Sequence, residues 1–312
     1  MHIVLLFPGQ GSQKPGMGKD LAEAFPAARM TFDQADETLG ITLSSLCFDG
    51  PEAELTSTEN AQPALLTHGA AAWAVVRDRL GPLVRAAAGH SLGEFTAHHA
   101  AGTFSLLDAL QLVRRRGELM RDSGVKRPGA MAAVMGLDEH VVEHLCARAS
   151  TEAGLVVAAN YNTPEQLVIS GEAGGVERAM ALAKEAGAKH AIRLNVSGAF
   201  HSPLMADAAA GLKEALDAVP ASPANFPVYS NVSAEPSDGP ADTKTLLFRQ
   251  LTAPVRWTDE VRNMVRSFSD ALFVELGPGS KLGNLVRRIV PQIRVAPCGT
   301  VADIEKLMTK VS

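Results

Sequence analysis

The sequence predicts an α/β protein with a mostly parallel sheet, into which a smaller α+β segment is inserted. Three observations support this prediction. Short apolar runs alternate with helical patterns, a glycine-flanked serine turn at residues 89–93 joins a strand to a helix, and the segment 126–194 has the order β-α-β-β-α-β. Alternating strands and helices favour a parallel sheet covered on both faces. The β-α-β-β-α-β order is typical of ferredoxin-like units.

The larger part of the chain is predicted to supply the parallel sheet. Its strands are expected at Ile3–Phe7, Val84–Ala88, Phe226–Ser230 and Ala271–Leu276. Its helices are expected at Met17–Leu39, Gln62–Leu80, Glu94–Ala101, Leu106–Asp122 and Pro203–Val219, and from Lys281 onward. The segment Ser233–Asp242 is rich in Ser, Pro, Asp and Gly, a composition that favours a surface loop.

The inserted segment is predicted from its own strand and helix patterns. Strands are expected at Gly129–Met135, Leu155–Ala159, Gln166–Ser170 and His190–Asn195, with helices at Asp138–Ala149 and Ala173–Gly187. We therefore predict a large domain formed by residues 1–125 and 195–312, and a small ferredoxin-like domain formed by residues 126–194.

The composition is that of an ordinary globular protein, with 46% hydrophobic and 20% charged residues among 312. A net charge of −5 argues against general nucleic-acid binding. The 3 cysteines lie far apart and form no C-x-x-C motif, which favours reduced thiols in the cytoplasm. We expect no signal peptide, because the N-terminal residues show no positive n-region and no cleavage site. We expect no membrane helix, since no apolar run approaches the roughly 18 residues that a span requires.

The turn Gly89-His90-Ser91-Leu92-Gly93 is the strongest functional signal in the chain. It reads G-x-S-x-G, follows the apolar run Val84–Ala88 and precedes a helical pattern. A serine on such a strand-to-helix turn has an exposed hydroxyl, and the first helical turn behind it offers free backbone N–H groups. The context therefore predicts that Ser91 is a nucleophile.

A serine nucleophile needs a base, and the chain offers 9 histidines. His201 lies in a loop just before a helix, whereas His90 adjoins Ser91 and is expected to point away from it. The residues alone leave this choice open. The H-x-x-E-H match that ends at His144 has no evident third ligand, so we expect no metal site there. The Gly277–Gly283 and Gly9–Ser12 loops lack the spacing of phosphate-binding motifs.

Taken together, the motifs resemble those of malonyl-CoA:acyl carrier protein transacylases and the related acyltransferase domains of fatty-acid and polyketide synthases. The matching pieces occur in family order along nearly the whole chain. They are Phe7–Gln13, Gly89–Glu94, Arg116-Gly117, Gly129–Val134, Asn160–Asn162, Gly198–Ser202, Gln250 and Glu275–Gly279. The family has a hydrolase-like α/β core with a ferredoxin-like insertion, which agrees with the fold predicted from the patterns.

The resemblance implies a role for each of seven residues. It implies that Ser91 is the nucleophile and His201 its general base, with the backbone N–H groups of Gln10 and Leu92 as the oxyanion hole. It implies that Arg116 binds the malonyl carboxylate, a choice that the residues alone leave open among Arg114, Arg115, Arg116 and Arg121. Gln250 is expected to orient His201 through its backbone carbonyl, and Phe200 to exclude α-methyl branches.

The same resemblance implies a transfer of malonyl from coenzyme A to the phosphopantetheine thiol of acyl carrier protein, through a malonyl-serine ester. We expect no metal or redox cofactor and a monomer. Candidate docking residues for the acidic carrier protein are Lys126, Arg127, Lys189, Arg193, Lys281, Arg287 and Arg288. The alternatives are a serine esterase or thioesterase, and a non-catalytic carrier-binding subunit.

Overall fold

The computed structural model of the protein describes residues 1–196 and 198–311. Their strands are β1 (Ile3–Phe7), β2 (Val84–Gly89), β3 (Gly129–Met135), β4 (Val156–Thr163), β5 (Gln166–Glu172), β6 (His190–Arg193), β7 (Val228–Tyr229), β8 (Leu272–Glu275) and β9 (Val295–Pro297). Their α-helices are α1 (Lys19–Ala24), α2 (Pro26–Leu39), α3 (Leu43–Asp49), α4 (Glu52–Thr56), α5 (Thr58–Leu80), α6 (Leu92–Ala100), α7 (Leu106–Lys126), α8 (Glu139–Ala153), α9 (Ala173–Glu185), α10 (Ala206–Ala218), α11 (Gly239–Gln250), α12 (Trp257–Ser267), α13 (Lys281–Ile289) and α14 (Val301–Val311).

The predicted parallel sheet is confirmed. Its strand order is β7-β2-β1-β8-β9, and every neighbouring pair runs parallel. The central strand β1 is buried at all of its positions because helices cover both faces. This explains why its sequence is a continuous apolar run rather than an alternating one.

The predicted ferredoxin-like unit is confirmed by a second, antiparallel sheet with the order β4-β5-β3-β6. Its strands alternate between two environments, as the two-residue period of a strand requires. On β3, Ala132 and Val134 pack into the apolar cluster beneath α8 and α9, whereas Met131 belongs to the larger core of the protein. One face of this sheet is therefore available to form a wall beside the larger part of the molecule.

Several predicted elements have different bounds in the structure, including three in the larger part of the chain. The single helix expected at Met17–Leu39 is divided into α1 and α2, because Pro26 disfavours helical geometry at Phe25 and starts a new helix instead. The strand expected at Phe226–Ser230 is reduced to β7. The loop expected at Ser233–Asp242 ends earlier than predicted, because Pro240 lies in the first turn of α11.

None of the described helices is both long and apolar enough to cross a bilayer. The described cysteines, Cys47, Cys146 and Cys298, are free thiols in buried positions. Burial raises the pKa of each of these thiols to about 12. The three thiols are therefore protonated at neutral pH and behave as small apolar side chains.

Candidate active site

Ser91 lies on a sharp turn between β2 and α6, at the carboxyl end of the parallel sheet. Its φ is 53° and its ψ is −108°, a strained backbone conformation for a residue with a side chain. The turn requires glycine on both sides. A Cβ on Gly89 would lie 1.9 Å from the carbonyl carbon of Gly93, and a Cβ on Gly93 would lie 2.0 Å from the carbonyl oxygen of Phe7. This close approach of backbone segments fixes the position of the Ser91 hydroxyl.

His201 is the histidine that the fold brings to this hydroxyl. Its Nε2 lies 2.8 Å from Ser91 Oγ, and its Nδ1 lies 2.8 Å from the carbonyl oxygen of Gln250. A carbonyl can only accept, so Nδ1–H donates to it and Nε2 is left to accept the serine proton. His201 also has a positive φ, 56°, so both members of the pair are held in strained conformations.

The surroundings of His201 keep its ring neutral. Burial, and in second place the nearby positive charge of Arg116, lower its pKa from 6.5 to about 3. A neutral imidazole whose Nε2 faces a hydroxyl has the protonation state that a general base requires.

His90 has a different environment. Its Nε2 lies 2.8 Å from Asn162 Oδ1, and its ring packs at 5.8 Å from the Trp257 ring. Although His90 also lines the cleft, its described polar partner is an amide of the antiparallel sheet. This bond directs the His90 ring toward the antiparallel sheet, which agrees with the expectation that His90 points away from Ser91.

Arg116 projects from the middle of α7 into the space beside Ser91. Its side chain is 1% exposed, and Nη2 donates to Ser91 Oγ at 3.0 Å and to Gln250 Oε1 at 2.9 Å. Nη1 donates to Gln62 Oε1 at 2.7 Å. Burial lowers the pKa of Arg116 to about 10, so the guanidinium still carries its charge at neutral pH.

The other arginines of α7 face away from this site. Arg114 and Arg115 lie beside Glu118, and Arg121 pairs with Glu59. The structure therefore separates Arg116 from its neighbours by burial, which the helical pattern in the sequence could not do.

Gln10 and Leu92 line the same cleft as the nucleophile Ser91. Gln10 follows β1, and its side chain donates to Thr58 Oγ1 at 3.2 Å, which ties its loop to the start of α5. Leu92 is the first residue of α6, so its N–H has no acceptor within the helix. The N–H of Ser91 is not available, because it donates to Asn231 Oδ1 at 2.7 Å.

These groups open into one cleft with a volume of about 390 Å³. Phe200 lies in its wall and is 6% exposed. The antiparallel sheet contributes the facing wall through Met131, Ala133, Asn160, Asn162, Gln166 and Val168. Apart from histidines, the charged residues that line the cleft among those described are Arg116 and Lys281, both of them cationic.

Known proteins share both the sequence pattern and the fold of this chain. The acyl transferase domain family matches residues 4–308. The chain belongs to this family. The malonyl CoA-acyl carrier protein transacylase of Bacillus subtilis strain 168 is 47% identical to this acyltransferase over 97% of the chain and 95% of the relative. The crystal structure of an acyl-carrier-protein-S-malonyltransferase from Bartonella henselae superimposes with a TM-score of 0.94 at 42% identity, over 100% and 99% of the two chains.

A further solved structure is a malonyl-transacylase in complex with a type II polyketide synthase acyl-carrier protein. It is 37% identical to the acyltransferase described here, with a TM-score of 0.95, and the match covers 99% of this chain and 100% of the other. The fold predicted from the sequence patterns is thus also the fold of solved relatives.

Sequence reasoning missed a buried polar cluster beneath the turn of the acyltransferase that carries Ser91. Asn231 donates from Nδ2 to the carbonyl of Gly89 at 2.8 Å and to Glu260 Oε1 at 3.0 Å, while its N–H donates to Glu94 Oε2 at 3.1 Å. Asn231 therefore bonds to the chain on both sides of His90, through Gly89 and Ser91. No local motif marks Asn231. Glu94 carried a weak signal, because it is a charged residue in an otherwise apolar turn of α6.

The two carboxyl groups of this cluster are unusual because both are fully buried. Burial raises the pKa of Glu94 from 4.5 to about 7. Burial, and in second place the proximity of Glu94, raise the pKa of Glu260. One oxygen of each carboxyl, Glu94 Oε1 and Glu260 Oε2, has no hydrogen-bond partner among the described residues. These surroundings favour the protonated form of the pair.

The motifs that were set aside in the sequence have structural explanations. His140 and Glu143 lie on an exposed part of α8, and the described residues contain no cluster of three or more metal-ligating side chains. At the Gly277–Gly283 loop, the buried carboxylate of Glu275 accepts the N–H groups of Leu282 at 3.0 Å and Gly283 at 2.7 Å. The N-terminus of α13 is therefore capped from within the chain.

Proposed function

We propose that this acyltransferase moves a malonyl group from malonyl-CoA to the phosphopantetheine thiol of acyl carrier protein, through a malonyl ester on Ser91. One observation carries the proposal. The Ser91 hydroxyl lies within hydrogen-bond distance of both a neutral histidine and a buried, charged arginine. The first partner suits acyl transfer, and the second suits an acyl group that ends in a carboxylate. The names of the similar transacylases support the same substrate and partner.

In the first half-reaction, His201 Nε2 takes the proton of Ser91 as Oγ attacks the thioester carbonyl carbon. The N–H groups of Gln10 and Leu92 stabilise the negative charge that develops on the carbonyl oxygen. The tetrahedral intermediate then collapses. Its C–S bond breaks, the sulfur of coenzyme A receives the proton from His201, and the malonyl ester of Ser91 remains.

The second half-reaction reverses these roles. His201 takes the proton of the phosphopantetheine thiol, and the sulfur attacks the ester carbonyl. The C–O bond to Ser91 breaks and His201 returns its proton to Oγ. The enzyme is regenerated without a metal or a redox cofactor in any of the proposed steps.

Arg116 is proposed to select the acyl group. Its planar guanidinium matches a carboxylate with two parallel hydrogen bonds, and its Nε–H has no partner among the described residues. Phe200 is proposed to limit the space beside the α-carbon. Its burial in the cleft wall supports this assignment.

The carrier protein is proposed to dock at the mouth of the cleft. Among the predicted cations, Lys281 lines the cleft, and Arg288 donates to Gln166 on its opposite wall at 3.2 Å. Lys189 and Arg193 are already within ion-pair distance of Glu165 and Glu177. A cytoplasmic location and a monomeric state remain predictions.

The deciding experiment is mass spectrometry of the protein after brief incubation with malonyl-CoA, methylmalonyl-CoA or acetyl-CoA. We expect one malonyl mass on a peptide that contains Ser91, no label on Ser91→Ala, and transfer of the label to acyl carrier protein when that is added. Rapid hydrolysis of malonyl-CoA without carrier protein would instead favour a thioesterase. Label on a residue other than Ser91 would overturn the mechanism.

A further inference from the structure

The partners of Arg116 are neutral, which sets this arginine apart from the others on its helix. Its side-chain acceptors are the amide oxygens of Gln62, on α5, and Gln250, on α11, together with the Ser91 hydroxyl. The described residues place no carboxylate in an ion pair with it. Arg114, Arg115 and Arg121 each lie within ion-pair distance of an acidic side chain. The buried arginine is therefore held in place without being neutralised by direct contact.

The orientation of the Gln250 amide is determined by its other partners. Its Nε2 donates to Glu94 Oε2 at 2.6 Å and to the carbonyl oxygen of Ser91 at 3.0 Å. Because these acceptors take the amino side, Oε1 must face Arg116. The carboxyl group of Glu94 bonds to Gln250 and Asn231 and makes no direct contact with Arg116; its electrostatic attraction for the guanidinium raises the pKa of Arg116 less than burial lowers it.

The Gln62 amide is fixed in a similar way. Its Nε2 donates to the sulfur of Met120 at 3.3 Å, and its Oε1 accepts from Arg116. Both glutamine side chains are 0% exposed, so water cannot replace either contact. The two amides thus hold opposite ends of one guanidinium, from two helices that are distant in sequence.

The chemical difference between an amide and a carboxylate at these positions is large. An amide oxygen accepts the hydrogen bond but leaves the positive charge uncompensated, whereas a carboxylate of the same shape would form a buried ion pair. A substrate carboxylate would then have to displace that internal partner before it could bind. A neutral pair keeps the full attraction of the guanidinium for the substrate.

We propose that Gln62 and the side chain of Gln250 are positioning residues that hold Arg116 next to Ser91, and that their neutrality sets the preference for acyl groups that carry a carboxylate over uncharged ones. This inference rests on the proposed function. It is separate from the expected role of Gln250 toward His201, which uses the backbone carbonyl and survives any substitution of the side chain.

Gln62→Glu is the direct test, since it changes the charge at almost constant shape. The rates of Ser91 acylation by malonyl-CoA and acetyl-CoA are measured by quenched-flow mass spectrometry for the wild type, Gln62→Glu and Gln62→Met. Gln111→Glu is the matched control, because it makes the same change at an exposed position of α7. Thermal unfolding of each variant checks that it is folded.

We expect Gln62→Glu to lower the malonyl-to-acetyl ratio of kcat/KM by about tenfold or more. The new carboxylate would neutralise Arg116 and so weaken the charge pair that Arg116 forms with the carboxylate of the malonyl group. Gln62→Met removes a hydrogen bond without adding a charge, so its ratio falls less, and Gln111→Glu leaves the ratio unchanged. If Gln62→Glu does not fold, Gln62→Met must still lower malonyl acylation more than acetyl acylation.

Three results would overturn the inference. An unchanged ratio in both Gln62 variants would show that these contacts serve packing alone. Equal ratios in Gln62→Glu and Gln62→Met would contradict the electrostatic argument. A wild type that shows no preference for malonyl would refute the proposed function as well, whereas a malonyl-to-acetyl ratio that stays at the wild-type value in Gln62→Glu refutes only this inference.

Discussion

The two walls of the cleft differ in the kind of side chain that they contribute. The wall formed by the larger part of the chain supplies the nucleophile, the histidine and the arginine, namely Ser91, His201 and Arg116. The wall formed by the antiparallel sheet supplies neutral side chains, among them Met131, Asn162 and Val168. This division teaches that reactivity and shape are located on different parts of the fold. Substitutions of Ser91 or His201 should alter the rate for every acyl group, whereas those of Arg116, of Phe200 or on the second wall should alter which acyl group is accepted.

The largest expected effect concerns the base on the reactive wall. His201→Ala should slow Ser91 acylation by about 10²–10⁴-fold, the usual effect of losing a general base. Pre-steady-state acylation by malonyl-CoA measures it. His90→Ala is the control, since His90 bonds to Asn162 and we expect a much smaller effect. A near-normal rate in His201→Ala would transfer the assignment to His90.

Arg116→Ala should have the second-largest effect on malonyl transfer. Loss of one partner of a buried charge pair costs about 2–5 kcal/mol, so malonyl transfer should fall by about 30-fold or more. Acetyl transfer should be spared or raised, because acetyl offers no charge to pair with the buried cation. The measurement is kcat/KM for both thioesters. A similar loss for both would show that Arg116 has a structural role only.

The sequence predicted the reactive wall better than it predicted what supports that wall. Local patterns predict the strand-to-helix turn that carries Ser91, the parallel sheet and the β-α-β-β-α-β order. The resemblance to a known family selected His201 and Arg116. The sequence did not predict roles for Asn231, Glu94 and Gln62, because their hydrogen-bond partners lie far away in sequence. Examples are the bond between Asn231 and Ser91 and the bond between Gln62 and Arg116. The division of α1 from α2 shows a similar limit, because the apolar pattern continues across Pro26 whereas the helix does not.

The buried polar cluster beneath the reactive wall should make the free energy of unfolding depend on pH, because it contains Glu94. The folded state binds the proton of Glu94 more tightly than the unfolded chain does, with a pKa of about 7 instead of 4.5. Ionisation of Glu94 therefore lowers the free energy of unfolding as the pH rises through this interval. Glu94→Gln removes this dependence, so its stability relative to the wild type should improve by at most about 3 kcal/mol between those two pH values.

Denaturant unfolding at a series of pH values measures this effect. The exposed Glu177→Gln is the matched control and should show no comparable change. A difference between Glu94→Gln and the wild type that stays constant with pH would mean that Glu94 does not titrate in this range.

The smallest expected effect concerns shape. Phe200→Ser should admit methylmalonyl by opening space beside the α-carbon, and one methyl group in an apolar pocket is worth about 1–3 kcal/mol. Competition between malonyl-CoA and methylmalonyl-CoA should therefore show a shift in the ratio of kcat/KM values rather than a complete switch. An unchanged ratio, with malonyl activity retained, would locate the discrimination elsewhere, with Met131 and Val168 on the opposite wall as the next candidates.

The capping of helix α13 by a side chain of the protein itself disfavours phosphate binding at the loop that precedes this helix. The loop before α13 is rich in glycine, as phosphate-binding loops are, although it lacks the spacing of their motifs. A helix N-terminus ordinarily attracts anions. Here the Glu275 side chain already occupies that position, and its two oxygens accept the amide N–H groups of Leu282 and Gly283. A free phosphate that approached this loop would find two of the helix N–H groups already bonded, where a nucleotide-binding protein offers unoccupied ones.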